Sequence, residues 1–155
     1  MKVAIVGASG ADGQQMLECL QERDIHVDLK LLASARSAGK TCQYFDQTLT
    51  IEELTEDSFK DVDYALGATE NDITEIWMPW AQKHGVVVVD NSSAYRLDEN
   101  VPLVVPEINA EDIQKHNGII ANPNCSTIIA LVALKALHQE FKIKRIICST
   151  YQAVS

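Results

Sequence analysis

With 155 residues, 46% of them apolar, the chain is long enough to bury one genuine core. A formal net charge of -9 and an isoelectric point near 4.8, with no cluster of Lys and Arg, argue against nucleic acid or an anionic membrane as partner. No apolar run approaches the length of a membrane span, and the start MKVAIVGASG turns glycine-rich after four apolar residues instead of continuing as a signal peptide.

In chain order, short β-branched runs alternate with helical stretches. VAIV at 3–6 is followed by GQQMLECLQ at 13–21, then LKLLA at 29–33. Residues 40–60 weaken to short strands around a turn and a small acidic helix. YAL at 64–66, ITEIWMPWAQKHG at 73–85 and VVVVD at 86–90 resume the alternation. AEDIQKHNG at 110–118, IIA at 119–121, STIIALVALKALHQEF at 126–141 and IKRIICSTY at 143–151 complete it as helix, strand, helix and strand. Strands apolar on both faces with helices between them predict an α/β fold, a doubly wound and mostly parallel sheet of the Rossmann type. No linker or repeat marks a boundary, so residues 1–155 read as one domain.

Two strand-to-helix turns carry candidate chemistry. The first, GASGADG, comprises Gly7, Ala8, Ser9, Gly10, Ala11, Asp12 and Gly13. Its glycines permit a tight turn, and the helix N-terminus behind it can offer free amides to a pyrophosphate. An NAD site normally places an acidic residue about 20 residues further on, for the ribose hydroxyls. The second strand instead ends in Ser34, Arg36 and Ser37, with Lys40 beyond, chemistry suited to a 2′-phosphate. NADP is therefore the expected cofactor.

The second turn is NPNCST. Pro123 ends the strand, Asn124 or Ser126 can cap the next helix, and Cys125 falls in its first turn, where the thiolate is favoured. Cysteines 19, 42, 125 and 148 show no C-x-x-C pair or metal-ligand spacing, so reduced thiols in a cytoplasmic setting are expected. Cys19 and Cys148 read as packing residues. A nicotinamide and a nucleophilic thiol at one sheet edge suggest oxidation of an aldehyde through a thioester, although Cys125 read from spacing alone can equally be structural. His84 and His116, which precede glycines at helix ends, and His138 in a last turn read as partners of helix C-termini, and His26 as a loop residue.

GASGADGQQM, SARSAGK, VVVVDNSSAYR, VPLVVPEIN, NGIIANPNCST and STYQAVS, collinear and spanning essentially the whole chain, closely resemble the N-terminal portion of the aspartate-semialdehyde dehydrogenase family. The resemblance implies Cys125 as the nucleophile with Asn124 beside it, and Gln152 as the residue orienting substrate near the thiol. It implies Arg96 as the ligand of the phosphoryl group, and Ser34, Arg36 and Ser37 around the NADP 2′-phosphate. The implied reaction is reversible NADPH-dependent reduction of aspartyl phosphate to aspartate semialdehyde, in a homo-oligomeric enzyme on the route to lysine, threonine and methionine. The family's acid/base histidine, its carboxylate-binding arginine and most of its dimer interface belong to a second domain. The chain is expected to lack that domain, and so to have weak activity or none by itself.

One local departure stands out. Where the family shows a small glycine-containing stretch after the strand VDYAL, this chain reads GATENDIT, bringing Glu70 and Asp72 toward the expected nucleotide. Two anions in a poorly hydrated site repel by roughly 1 to 4 kcal/mol. The alternatives to an enzyme half are an NADP-binding module without turnover, and a fragment whose uncovered sheet face drives self-association.

Overall fold

The computed structural model describes residues 1–152. Seven strands form a single sheet in the order β3-β4-β2-β1-β5-β6-β7. They are β1 (Lys2–Val6), β2 (Asp28–Ala33), β3 (Thr41–Tyr44), β4 (Gln47–Glu53), β5 (Tyr64–Gly67), β6 (Val87–Asp90) and β7 (Ile119–Ala121). All pairings are parallel except that of the edge strand β3 with β4. The expected mostly parallel, Rossmann-like sheet is present.

Alternation along β1 shows why the strands are apolar throughout. Val3 and Ile5 join one core with Leu29, Leu31 and Leu17 of α1 (Ala11–Glu22). Ala4 and Val6 join the opposite core with Phe59, Trp77 and Met78, the latter two from α2 (Asn71–Lys83). Trp77 and Phe59 are fully buried and stack with ring centroids 5.8 Å apart. Both faces of the sheet are thus covered, one by each helix.

Chain order reverses around β1. After β2 the chain moves outward to β4 and β3, then returns to place β5 on the other side of β1. That switch opens a crevice beyond the carboxyl ends of β1 and β5, the place where such sheets hold ligands.

Several elements differ from the sequence reading. Residues 41–53 form a β3–β4 hairpin that turns through Phe45 at φ +50°, and the acidic segment after it is a 3-10 turn, Glu56–Phe59. The helix expected at 110–118 is a short α3 (Pro106–Asn109) continued by a 3-10 stretch, Ala110–Lys115. Proline at the first helical position sets that earlier start. The expected strand at 143–151 is absent. Its isoleucines, Ile146 and Ile147, are 57% and 89% exposed, and among the described residues the outer side of β7 takes only an isolated bridge from Leu103 to Ala121. β-branched composition makes a segment compatible with a strand, but a strand also needs a partner edge. Cys148, expected to pack, is exposed for the same reason.

The last helix, α4 (Cys125–Phe141), touches α3 and buries none of its residues. No helix among the described residues is long and apolar enough to cross a membrane.

Candidate functional site

The first turn is held by the sheet itself. The amides of Gly7 and Ala8 both donate to Leu32 O, at 2.8 and 3.0 Å, extending the β1–β2 ladder by one step. Gly7 then turns at φ +91°, where a Cβ would lie 2.2 Å from Ala68 O. Gly13, one turn into α1, would bring a Cβ 2.4 Å from Gly7 O. These two positions accept no side chain, because the loop packs against the backbone beyond β5 and against its own helix. Gly10 caps α1 without a side chain, and the first intrahelical bond is Gln14 N to Gly10 O at 3.0 Å. The amides of Ala11, Asp12 and Gly13 therefore stand at the open end of the helix, available to an anion.

Ser34 and Arg36 are exposed immediately after β2, next to this loop through the Leu32 contacts. Ser37 is only 5% exposed, and its amide closes a turn onto Ser34 O at 2.8 Å. Ser37 shapes the loop, whereas Ser34 and Arg36 are open to a ligand.

At the switch point lies a polar cleft of about 200 Å³, lined by Asp12, Ala68, Thr69, Glu70, Asn71, Asn91, Ser92, Ser93 and Arg96. The structure separates the two acidic residues of the departing GATENDIT stretch. Glu70 lines this cleft, whereas Asp72 does not, and its Oδ1 accepts from the amide of Ile73 at 2.9 Å. Thr69 turns inward, its Oγ1 accepting from the Trp77 indole at 2.9 Å. The fully buried Asp90, at the end of β6, accepts from Ser92 N at 3.0 Å and from Ser92 Oγ at 2.7 Å, and so shapes the turn beneath the cleft.

Arg96 is half-buried and stapled between two strand ends. Its Nε donates to Asn122 O at 2.8 Å and its Nη2 to Asn91 O at 2.9 Å, leaving other guanidinium donors unspent. No carboxylate pairs with it among the described residues. Beside it, burial first, and then the carboxylates of Glu75, Asp90 and Asp98, push the Tyr95 phenol above its usual value, so that it remains a neutral hydroxyl at physiological pH.

Beyond β7, Asn124 is the N-cap of α4, its Oδ1 accepting from Ser126 N at 3.0 Å. Cys125, the first residue of the helix, is exposed. Gln152 approaches the thiol with Nε2 3.5 Å from Sγ, and its Oε1 accepts from Asn124 Nδ2 at 3.2 Å. Cys125, Asn124 and Gln152 thus form one cluster, while Arg96 and the glycine loop border the adjacent cleft. Of the histidines, His84 and His116 occupy C-cap positions and His138 lies in the last turn of α4. His26 stacks on Phe45 and pairs with Asp24.

Two residues central to this geometry escaped the sequence reading. Asn91 Nδ2 donates to Asp12 Oδ2 at 3.1 Å, and Asn91 Oδ1 accepts from Asn122 Nδ2 at 2.7 Å. Each asparagine is the residue just after a strand, which in a parallel sheet places it at the ligand edge. That signal was available.

A family model described as "Semialdehyde dehydrogenase, NAD binding domain" matches residues 2–116. Aspartate-semialdehyde dehydrogenases of Bacillus subtilis and Aquifex aeolicus are 49% and 51% identical over 100% and 99% of this chain. The chain spans only 45% and 46% of those relatives' length. Among solved structures, aspartate semialdehyde dehydrogenase II from Vibrio cholerae, complexed with ASA, superposes with a TM-score of 0.86 at 48% identity, over 90% of this chain and 46% of that one. The aspartate semialdehyde dehydrogenase with NADP from Candida albicans superposes at 0.74 and 27% identity, over 90% of this chain and 47% of that one. The glycine loop, the crevice and the family match agree, and the chain belongs to the semialdehyde dehydrogenase NAD-binding domain family.

Proposed function

We propose that this chain supplies the dinucleotide site and the thiol nucleophile for reversible, phosphate-dependent oxidation of aspartate semialdehyde to aspartyl phosphate. The cofactor is NADP(H), and the setting is a cytoplasmic biosynthetic route to lysine, threonine and methionine. The observation that carries the proposal is the cluster in which the Cys125 thiol at the start of α4 faces Gln152, at the same sheet edge as the glycine loop.

The residues fit a dinucleotide. Gly7 and Gly13 leave room for close approach, the amides of Ala11, Asp12 and Gly13 face outward, and Ser34 with Arg36 offers a hydroxyl and a cation for a 2′-phosphate. Ser37 contributes through the shape of its turn. When bound, the nicotinamide supplies a hydride acceptor. The Cys125 thiolate adds to the aldehyde carbon, and loss of hydride from that carbon leaves a thioester on Sγ. Phosphate, held by the free edge of the Arg96 guanidinium, attacks the thioester, releasing aspartyl phosphate and restoring the thiolate. Gln152 and Asn124 orient the substrate at the thiol. Residues 1–155 form a single NADP-binding domain in this reading. By itself the chain is proposed to turn over weakly or not at all.

Incubating the chain with aspartate semialdehyde and NADP, then mapping adducts by peptide mass, tests the assignment. A covalent adduct on the Cys125 peptide is expected. An adduct confined to Cys148, or none on any cysteine, contradicts it.

A further inference from the structure

Asp12 sits in the first turn of α1, where a carboxylate looks misplaced beside a phosphate site. Its Oδ2 is instead occupied by Asn91 Nδ2 at 3.1 Å. A carboxylate only accepts, so it dictates which end of the Asn91 carboxamide faces it. The Asn91 oxygen is thereby turned to Asn122, whose Nδ2 donates at 2.7 Å. The backbones of both asparagines are pinned as well. Asn91 N donates to Gly67 O at 3.1 Å and Asn122 N to Asp90 O at 2.8 Å, while their two carbonyls hold Arg96. From Asn122 the chain passes through the buried Pro123, with its fixed φ, to Asn124, which both caps α4 and bonds to the Gln152 that faces Sγ.

We infer that Asp12 and Asn91 are positioning residues that couple the glycine loop to the thiol loop, so that a ligand on the former alters the reactivity of Cys125. The coupling rests on the glycine loop being a nucleotide site. The Asp12 carboxylate then acts through Asn91 and not as a ligand of the nucleotide, its amide staying with the open helix end, and Asn122 passes the constraint to the segment that presents the thiol.

The test uses the chain and 2′-phospho-ADP-ribose, which carries the phosphates and ribose but has no nicotinamide to shield the thiol. Alkylation by iodoacetamide is followed at each cysteine by peptide mass, with and without saturating nucleotide. The rate at Cys125 is expected to change by about fivefold, the scale of ordinary site-to-site coupling, while Cys148 is unaffected. In Asp12→Ala, an exposed first-turn change that leaves the core intact, and in Asn91→Ala, the change should fall below about twofold. The double variant should lose no more than Asn91→Ala alone, because that change already removes the contact through which Asp12 acts. Nucleotide that binds without altering Cys125, or a change that survives in both variants, overturns the coupling and leaves the nucleotide site standing. Failure of the nucleotide to bind at all overturns both.

Discussion

Helices α2 and α4 are both rich in apolar residues, yet they end in opposite environments. In α2, Thr74, Trp77, Met78 and Ala81 form one face that is fully buried against the sheet. In α4, which is apolar nearly all round, Ile129 is 72% exposed and Phe141 73% exposed. An apolar stripe names the surface it needs, because only one side of the helix can be covered. A helix apolar on every side says only that it belongs in an interior. Among the described residues, α4 touches α3, meets Gln152 at its first residue and forms a groove of about 500 Å³ with Ile108 and residues 143–146, yet none of its residues is buried.

The contrast can be broken by mutation. Trp77→Ala removes the largest fully buried side chain and is expected to destabilise the chain by about 3 to 5 kcal/mol, read from the shift of the urea midpoint. Gly7→Ala meets both a φ of +91° and a carbonyl 2.2 Å from the new Cβ. A loss of about 1 to 3 kcal/mol is expected in the same assay, with nucleotide binding lost because the loop must open. Phe141→Ser, on α4, is expected to move stability by no more than about 0.5 kcal/mol. A loss as large as that of Trp77→Ala would show that α4 is packed in solution, and the contrast would fail.

The smallest effects come from exposed ion pairs, one of which ties Lys83 of α2 to Glu56 while none among the described residues involves α4. The hydrogen bond from Lys60 lowers the Asp57 carboxyl, and that from Lys115 lowers Asp112. Those contributions are present above the ordinary carboxylate value and are lost as pH falls through the depressed one. Glu56 raises Lys83 and Asp112 raises Lys115, so their contributions are full below the ordinary lysine value and disappear as pH rises through the elevated one. Denaturation midpoints across pH should therefore be flat near neutrality, with slight losses at both extremes. A marked change between these limits would reveal a titrating group that the exposed pairs do not explain.

The parallel sheet was legible because β1 and β6 are apolar at all positions but one and β2 holds the apolar run 31–33 at its end, and the glycine loop because only glycine satisfies the contacts at positions 7 and 13. The placement of Cys125 in the first turn of α4 was legible from the proline and cap chemistry around it, whereas spacing alone left its role open. The strand expected at 143–151 was not, because β propensity carries no information about an available edge. The Asp12–Asn91–Asn122 chain was hidden for a different reason: its members lie 79 and 31 residues apart in sequence and meet only through the topology of the sheet. Asp12, read as part of the nucleotide loop, proves to be engaged by that chain.

The proposed function makes the carboxyl edge of β1 and β2 a dinucleotide site that prefers a 2′-phosphate. Titrating NADPH and NADH into the chain and into Arg36→Ala, followed by tryptophan fluorescence, tests it most directly. NADPH is expected to bind about tenfold more tightly than NADH, one strong charge-assisted contact's worth, and Arg36→Ala should erase most of that difference. Equal affinity for the two cofactors in the unsubstituted chain would rule out the 2′-phosphate preference, and no binding of either would rule out the site.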